Sequence, residues 1–182
     1  MPDRQRMFLA LWPDAAVRKS LVEIQSAMCF RRGRTVHPRD LHITLVFLGM
    51  VDAGQFPCVE EVAGRQQGDA FDLSIDHSGY WSRPRAAWCG PAEVPLALQA
   101  LVDGRQRDLR AGGFEPEARP YRPHVTLARD ARGGTTGPLV PPVVWPCDRF
   151  VLVTSTGARE PPRYDVVREW PLQSEKITVT DS

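Results

Sequence analysis

His42-Ile43-Thr44-Leu45 returns later in the chain as His124-Val125-Thr126-Leu127, and the way this repeated tetrapeptide is read decides the fold. In an extended strand successive side chains point to opposite faces, so His42 and Thr44 share one face while Ile43 and Leu45 share the other. The second copy divides in the same way. Each segment therefore offers an aliphatic face to a core and an imidazole with a hydroxyl to the opposite side. A single His-x-Thr among ordinary β-formers is most often surface decoration. Here two of only four histidines carry the same Thr and Leu behind them, and two imidazoles facing one cleft suggest a general acid and a general base. His37 and His77 lack this context and read as incidental.

Outward from the motifs, the flanking segments repeat as well. Arg6 to Trp12 is a short apolar run ended by Pro13, which predicts a buried strand. Asp14 then reads as an N-cap, and Val17, Leu21, Ile24 and Met28 form a stripe at helical spacing up to the basic stretch before Pro38. Leu41 to Leu48 is the first motif strand, closed by Gly49, with a weaker helix over 57–67. Phe71 to Asp76 alternates as a strand does, Arg85 to Cys89 is its neighbour, and a second amphipathic helix runs from Pro95 to Gly112-Gly113. The second motif strand, His124 to Arg129, follows. A loop is expected over 133–142, then strands at 150–154 and 164–170. Helix then motif strand, twice, predicts an α+β fold: two lobes related by a pseudo-twofold axis, antiparallel sheets facing a central groove, helices outside. Residues 1–172 are expected to form one domain of interleaved lobes, one motif each, and 173–182 a polar tail.

Composition narrows the function. A chain of 182 residues, 42% hydrophobic and 25% charged, can bury one sizeable core, and no apolar stretch is long enough for a membrane span. No apolar signal region follows the N-terminus, so the expected location is the cytoplasm. Cys29, Cys58, Cys89 and Cys147 are scattered without a Cys-x-x-Cys pair and read as free, buried thiols. A net charge of +1 gives no broad footprint for duplex nucleic acid. Local arginine is plentiful, with Arg31, Arg32, Arg34 and Arg39 before the first motif and Arg119, Arg122 and Arg129 around the second. The planar guanidinium fork suits phosphate oxygens.

Imidazole titrates near neutrality, so one ring of a pair can take a proton while the other gives one. Attack on phosphorus uses both at once, with hydroxyls and arginine holding the non-bridging oxygens as charge builds. His42, His124, Thr44 and Thr126 are the candidate catalytic residues, with Arg129 as a phosphate contact. A metal is not expected: no carboxylate cluster accompanies the pair, and Asp40, two before His42, is matched by Arg122 before His124.

The Arg-Met-Phe-Leu-Ala-Leu opening, Leu41 to Gly49, Pro123 to Asp130, and Arg163-Tyr164 with Trp170 resemble, in this order, the two-histidine phosphoesterase superfamily and within it the bacterial RNA 2′,3′-cyclic phosphodiesterases of LigT or ThpR type. The resemblance spans most of the chain. It implies the bilobal fold, no metal or other cofactor, no obligate protein partner, and hydrolysis of a 2′,3′-cyclic phosphate on a single-stranded RNA end to a 2′-phosphate. Joining of tRNA halves through a 2′,5′ linkage also comes with it. For a 2′-phosphate product the acid serves O3′ and the base serves water; we assign His42 to O3′ and His124 to water. Phe47 and Tyr164 are candidates for base stacking or groove lining, with core packing as the equal alternative. Two other functions stay open: an RNA-end binding module without turnover, and a phosphodiesterase of small cyclic nucleotides or 2′,5′-oligonucleotides.

Overall fold

The computed structural model describes residues 4–65, 68–117 and 120–173. Arg119 and the expected tail beyond Gln173 lie outside them.

The chain forms β1 (Arg4–Leu11), α1 (Ala15–Ala27), β2 (Arg34–Thr35), a 3-10 turn at Pro38–Asp40, β3 (Ile43–Asp52), α2 (Phe56–Gly64), β4 (Phe71–Trp81), β5 (Ala86–Gly90), α3 (Leu96–Ala111), β6 (Val125–Arg129), β7 (Gly137–Cys147), β8 (Arg149–Ser155) and β9 (Tyr164–Pro171). Asp14 caps α1 as expected, its carboxylate accepting the Val17 amide at 2.8 Å.

All strands pair antiparallel in the order β7-β4-β5-β6-β3-β1-β8-β9, with β2 added on β6. The two motif strands meet at the centre through one residue pair, Ile43 with Val125. Four strands extend to either side of that joint, so each half holds one motif. The halves interleave in sequence: β1, β8 and β9 join β3, whereas β4, β5 and β7 join β6. The α+β architecture read from the helix-and-motif repeat is the one observed.

The two faces of the sheet differ in chemistry. Ile43, Leu45, Val125 and Leu127 pack in one core with Val17 and Leu21 of α1 and Leu98, Val102 and Leu109 of α3. Burying such side chains contributes about 1.5–3 kcal/mol each, which fixes the strand register, because a slip of one residue would turn the aliphatic set outward. The motif histidines and threonines consequently face away from the helices. On that side Phe8, Ala10, Val151 and Val153 form a smaller apolar cluster with Trp12, Phe47 and Tyr164 packed against it.

Three expectations need correction. β7 begins at Gly137, inside the segment read as loop to Pro142; Pro138, Pro141, Pro142 and Pro146 are accommodated because β7 is an edge strand and needs a ladder on one side only. Gly49 does not end β3, which runs on to Asp52. Gly49 sits at φ +77 beside a register shift in the β1 pairing, a backbone position that glycine reaches without steric cost. The four cysteines are free, but only Cys89 and Cys147 are buried; Cys29 and Cys58 are exposed.

Candidate active site

His42 and His124 stand just ahead of β3 and β6, and the Ile43–Val125 pairing sets their relation. Antiparallel register places His42 across from Thr126 and Thr44 across from His124. Directly opposed residues share a face with Cβ atoms about 4.5–5.5 Å apart, and diagonal neighbours lie about 7–8 Å apart. The four side chains thus mark the corners of a quadrilateral, imidazoles on one diagonal and hydroxyls on the other. The pseudo-twofold axis runs through its middle, between Ile43 and Val125. Among the described residues neither threonine hydroxyl has a protein hydrogen-bond partner.

Both rings are anchored in the same manner. Nδ1 of His42 lies 2.6 Å from the Asp40 carbonyl, and Nδ1 of His124 lies 2.8 Å from the Arg122 carbonyl. A carbonyl only accepts, so each Nδ1 carries hydrogen and each Nε2 is the nitrogen left to exchange a proton. The 3-10 turn that supplies the Asp40 carbonyl is tied down separately: the buried Asp40 carboxylate accepts the Arg163 amide at 3.0 and 3.1 Å. Gln25 of α1 reaches the second motif, donating at 2.8 Å to the Leu127 carbonyl and at 2.9 Å to that of Val36.

Their surroundings differ. His42 stacks on Trp12 (ring centroids 5.3 Å, interplanar 13°) and on Phe8 (4.9 Å, 29°), with the Tyr164 ring edge-on at 5.3 Å. Burial pushes its pKa down to about 4, with the Arg129 and His124 charges acting in the same direction against the Asp40 hydrogen bond. His42 is therefore neutral at pH 7 when no anion is bound. His124 meets the edge of Trp81 at 4.5 Å, and the residue across from it on β5 is Gly90, where β1 offers Trp12 to His42.

The quadrilateral lies in a groove of two arms that meet at His42, Thr126, Arg129 and Tyr164. The larger arm, about 520 Å³, is walled by Phe8, Phe47, Trp81 and Tyr121; the smaller, about 290 Å³, by Arg34, His37, Arg129, Arg159 and Arg163. All seven residues singled out in the sequence line this groove. Phe47 does so while packing on Phe8 at 5.8 Å, so groove lining and core packing are both true of it.

Sequence reading assigned no site role to Phe8, Trp12, Trp81, Arg159, Arg163 or His37, and weighed Asp40 only as a metal ligand. A signal existed for the first two: Phe8, Ala10 and Trp12 alternate with Met7, Leu9 and Leu11, a period of two in a run read as uniformly buried. His37, read as incidental, lines the smaller arm. Among the described residues no group of three or more His, Cys, Asp or Glu side chains could hold a metal ion, and no helix is long and apolar enough to cross a membrane.

Two imidazoles and two hydroxyls on one sheet face, with an arginine lining the same groove, are an arrangement that fits the class of phosphoesterases. The chain belongs to the LigT-like phosphoesterase family, whose profile matches residues 11–88 and 90–164. It is 34% identical over 176 residues to the RNA 2′,3′-cyclic phosphodiesterase of Escherichia coli K12, covering 94% of this chain and 99% of that one. The protein of the same name from Thermus thermophilus is 33% identical over 93% of this chain and 91% of its own length. The crystal structure of E. coli LigT with 3′-AMP superposes with a TM-score of 0.82 at 32% identity, covering 93% of this chain and 98% of that one. TT0787 of T. thermophilus superposes with a TM-score of 0.77 at 26% identity, covering 93% and 99%.

Proposed function

We propose that this chain hydrolyses the 2′,3′-cyclic phosphate at the end of a single-stranded RNA to a 2′-phosphomonoester, in the cytoplasm and without a metal or other cofactor. The observation that carries the reading is the His–Thr quadrilateral on one sheet face, and the relatives that share the family bear the name of this activity. The cyclic phosphodiester sits over the quadrilateral. His124 Nε2 takes a proton from water as the water oxygen attacks phosphorus; the P–O3′ bond breaks opposite, and His42, which takes a proton on Nε2 when the cyclic phosphate anion binds, gives that proton to O3′. The 2′-phosphate remains. Thr44, Thr126 and Arg129 donate to the non-bridging oxygens, where negative charge grows. With an RNA 5′-hydroxyl in place of water, as at the end of a tRNA half, the same step forms a 2′,5′ linkage. DNA lacks the 2′-oxygen and cannot form the substrate. Phe47 and Tyr164 line the path of the terminal nucleoside.

The product decides between this reading and a non-catalytic RNA-end module. Incubated with a cyclic-ended oligonucleotide in the presence of a chelator, the protein is expected to yield the 2′-monoester quantitatively. A 3′-monoester, or tight binding with no product over hours, would remove the proposed activity.

The depressed pKa of His42 favours a second reading in which the roles exchange, because a ring neutral at pH 7 is ready to act as base. Either way the two Nε2 atoms must hold one proton between them. kcat/KM then falls below the lower and above the higher of two apparent values that belong to the pair. The acid limb is expected near pH 4, where His42 gains its proton. A pH profile of kcat/KM whose acid limb lies at about 6.5, the ordinary imidazole value, with nothing near 4, would contradict the buried, neutral state of His42.

A further inference from the structure

The two arms of the groove differ in chemistry: aromatic rings wall one, alongside Arg83 and Arg122, and guanidinium groups line the other. Arg34, Arg129, Arg159 and Arg163 reach the smaller arm from three separate parts of the chain, and His42 and Thr126 form its inner end. Arg34 is paired with Asp130 at 2.7 Å. Arg129, Arg159 and Arg163 have no carboxylate within ion-pair distance among the described residues. Two acids also line this arm: the buried Asp40 carboxylate accepts the Arg163 amide, and Glu160 is exposed. His37 adds a ring N–H donor. Its Nδ1 accepts the Arg39 amide at 3.2 Å, so its ring proton is on Nε2. Three guanidinium groups without a carboxylate ion pair among the described residues, converging on a cavity of about 290 Å³, offer the planar donor forks that a phosphate anion would satisfy.

We infer that this arm is a second phosphate site, holding the phosphodiester on the 5′ side of the terminal nucleotide while the cyclic phosphate lies over the quadrilateral and the base enters the aromatic arm. The inference rests on the proposed function and refines it. The enzyme is built for the end of a chain, and a lone cyclic mononucleotide fills only two of the three positions. Arg159 and Arg163 are the specificity-determining residues, since both belong to the β8–β9 connection and line the smaller arm but not the larger.

The test compares uridine 2′,3′-cyclic phosphate, the same compound with a 5′-phosphate, and the dinucleotide UpU with a cyclic end. Both phosphorylated substrates are expected to show a KM about tenfold or more below that of the bare cyclic nucleotide, the size of one to two charge-assisted hydrogen bonds. In the Arg159→Ala/Arg163→Ala double variant that ratio is expected to fall toward one. Absence of a preference, its survival in the double variant, or a preference for the dinucleotide alone would each overturn the second site. Calorimetric binding of uridine 2′-monophosphate and uridine 2′,5′-bisphosphate keeps the two readings apart. A protein that turns over none of the three substrates yet binds the bisphosphate about tenfold more tightly loses the activity and keeps the site; equal affinities remove the site.

Discussion

Replacing either motif histidine by alanine is expected to lower kcat on a cyclic-ended oligonucleotide by about a thousandfold, since positioned proton transfer contributes roughly 10²–10⁴ in rate. Losing both is not expected to multiply these factors, because the two rings serve one step. His42 also fills space between Trp12, Phe8 and Tyr164, so alanine there leaves a hole in an aromatic stack. His42→Phe keeps a ring in the stack and removes the proton. Equal losses in His42→Ala and His42→Phe, with unchanged circular dichroism, assign the effect to chemistry. Full activity in any of these variants, or in His124→Ala, would sink the paired-histidine mechanism.

The second large effect comes from a residue with no side chain. A Cβ added to Gly90 would lie 2.6 Å from the Pro123 carbonyl oxygen and 3.3 Å from the His124 Cα, both backbone atoms that have no rotamer to escape into. Gly90→Ala is therefore expected to push the start of the second motif away from β5 and spoil the alignment of His124 Nε2. A misplacement of about 1 Å costs on the order of a hundredfold in rate. Gly54→Ala is the control, because nothing lies within 4 Å of its added Cβ. If Gly90→Ala folds and retains wild-type kcat, the position of His124 is not set by that close approach.

The sequence carried the site further than its walls. The His-x-Thr repeat could be read because it obeys the strand period of two, and that period is a local property which the structure preserves in Ile43, Leu45, Val125 and Leu127 on one face. The architecture followed from a helix preceding each motif. What local pattern does not encode is partnership. Trp12 stacks on His42 through the β1–β3 register, and Trp81 reaches His124 across strands; both are long-range contacts. The sequence offers Asp40 only as a metal ligand, whereas its carbonyl orients His42 and its carboxylate holds the Arg163 amide. The proline-rich β7 was hidden for a related reason: proline is excluded from central strands and tolerated at an edge, and strand order is not written in any one segment.

The most direct measurement is turnover, by the His42→Ala and His124→Ala proteins, of a cyclic phosphorothiolate whose O3′ is replaced by sulfur. A thiolate leaves without a proton, so the variant that lacks only the proton donor regains activity while the variant that lacks the base does not. Recovery of His42→Ala toward wild-type rate, with His124→Ala still inactive, is the expected result. Recovery of both variants, or of neither, would contradict two histidines dividing acid and base work at a single phosphorus atom.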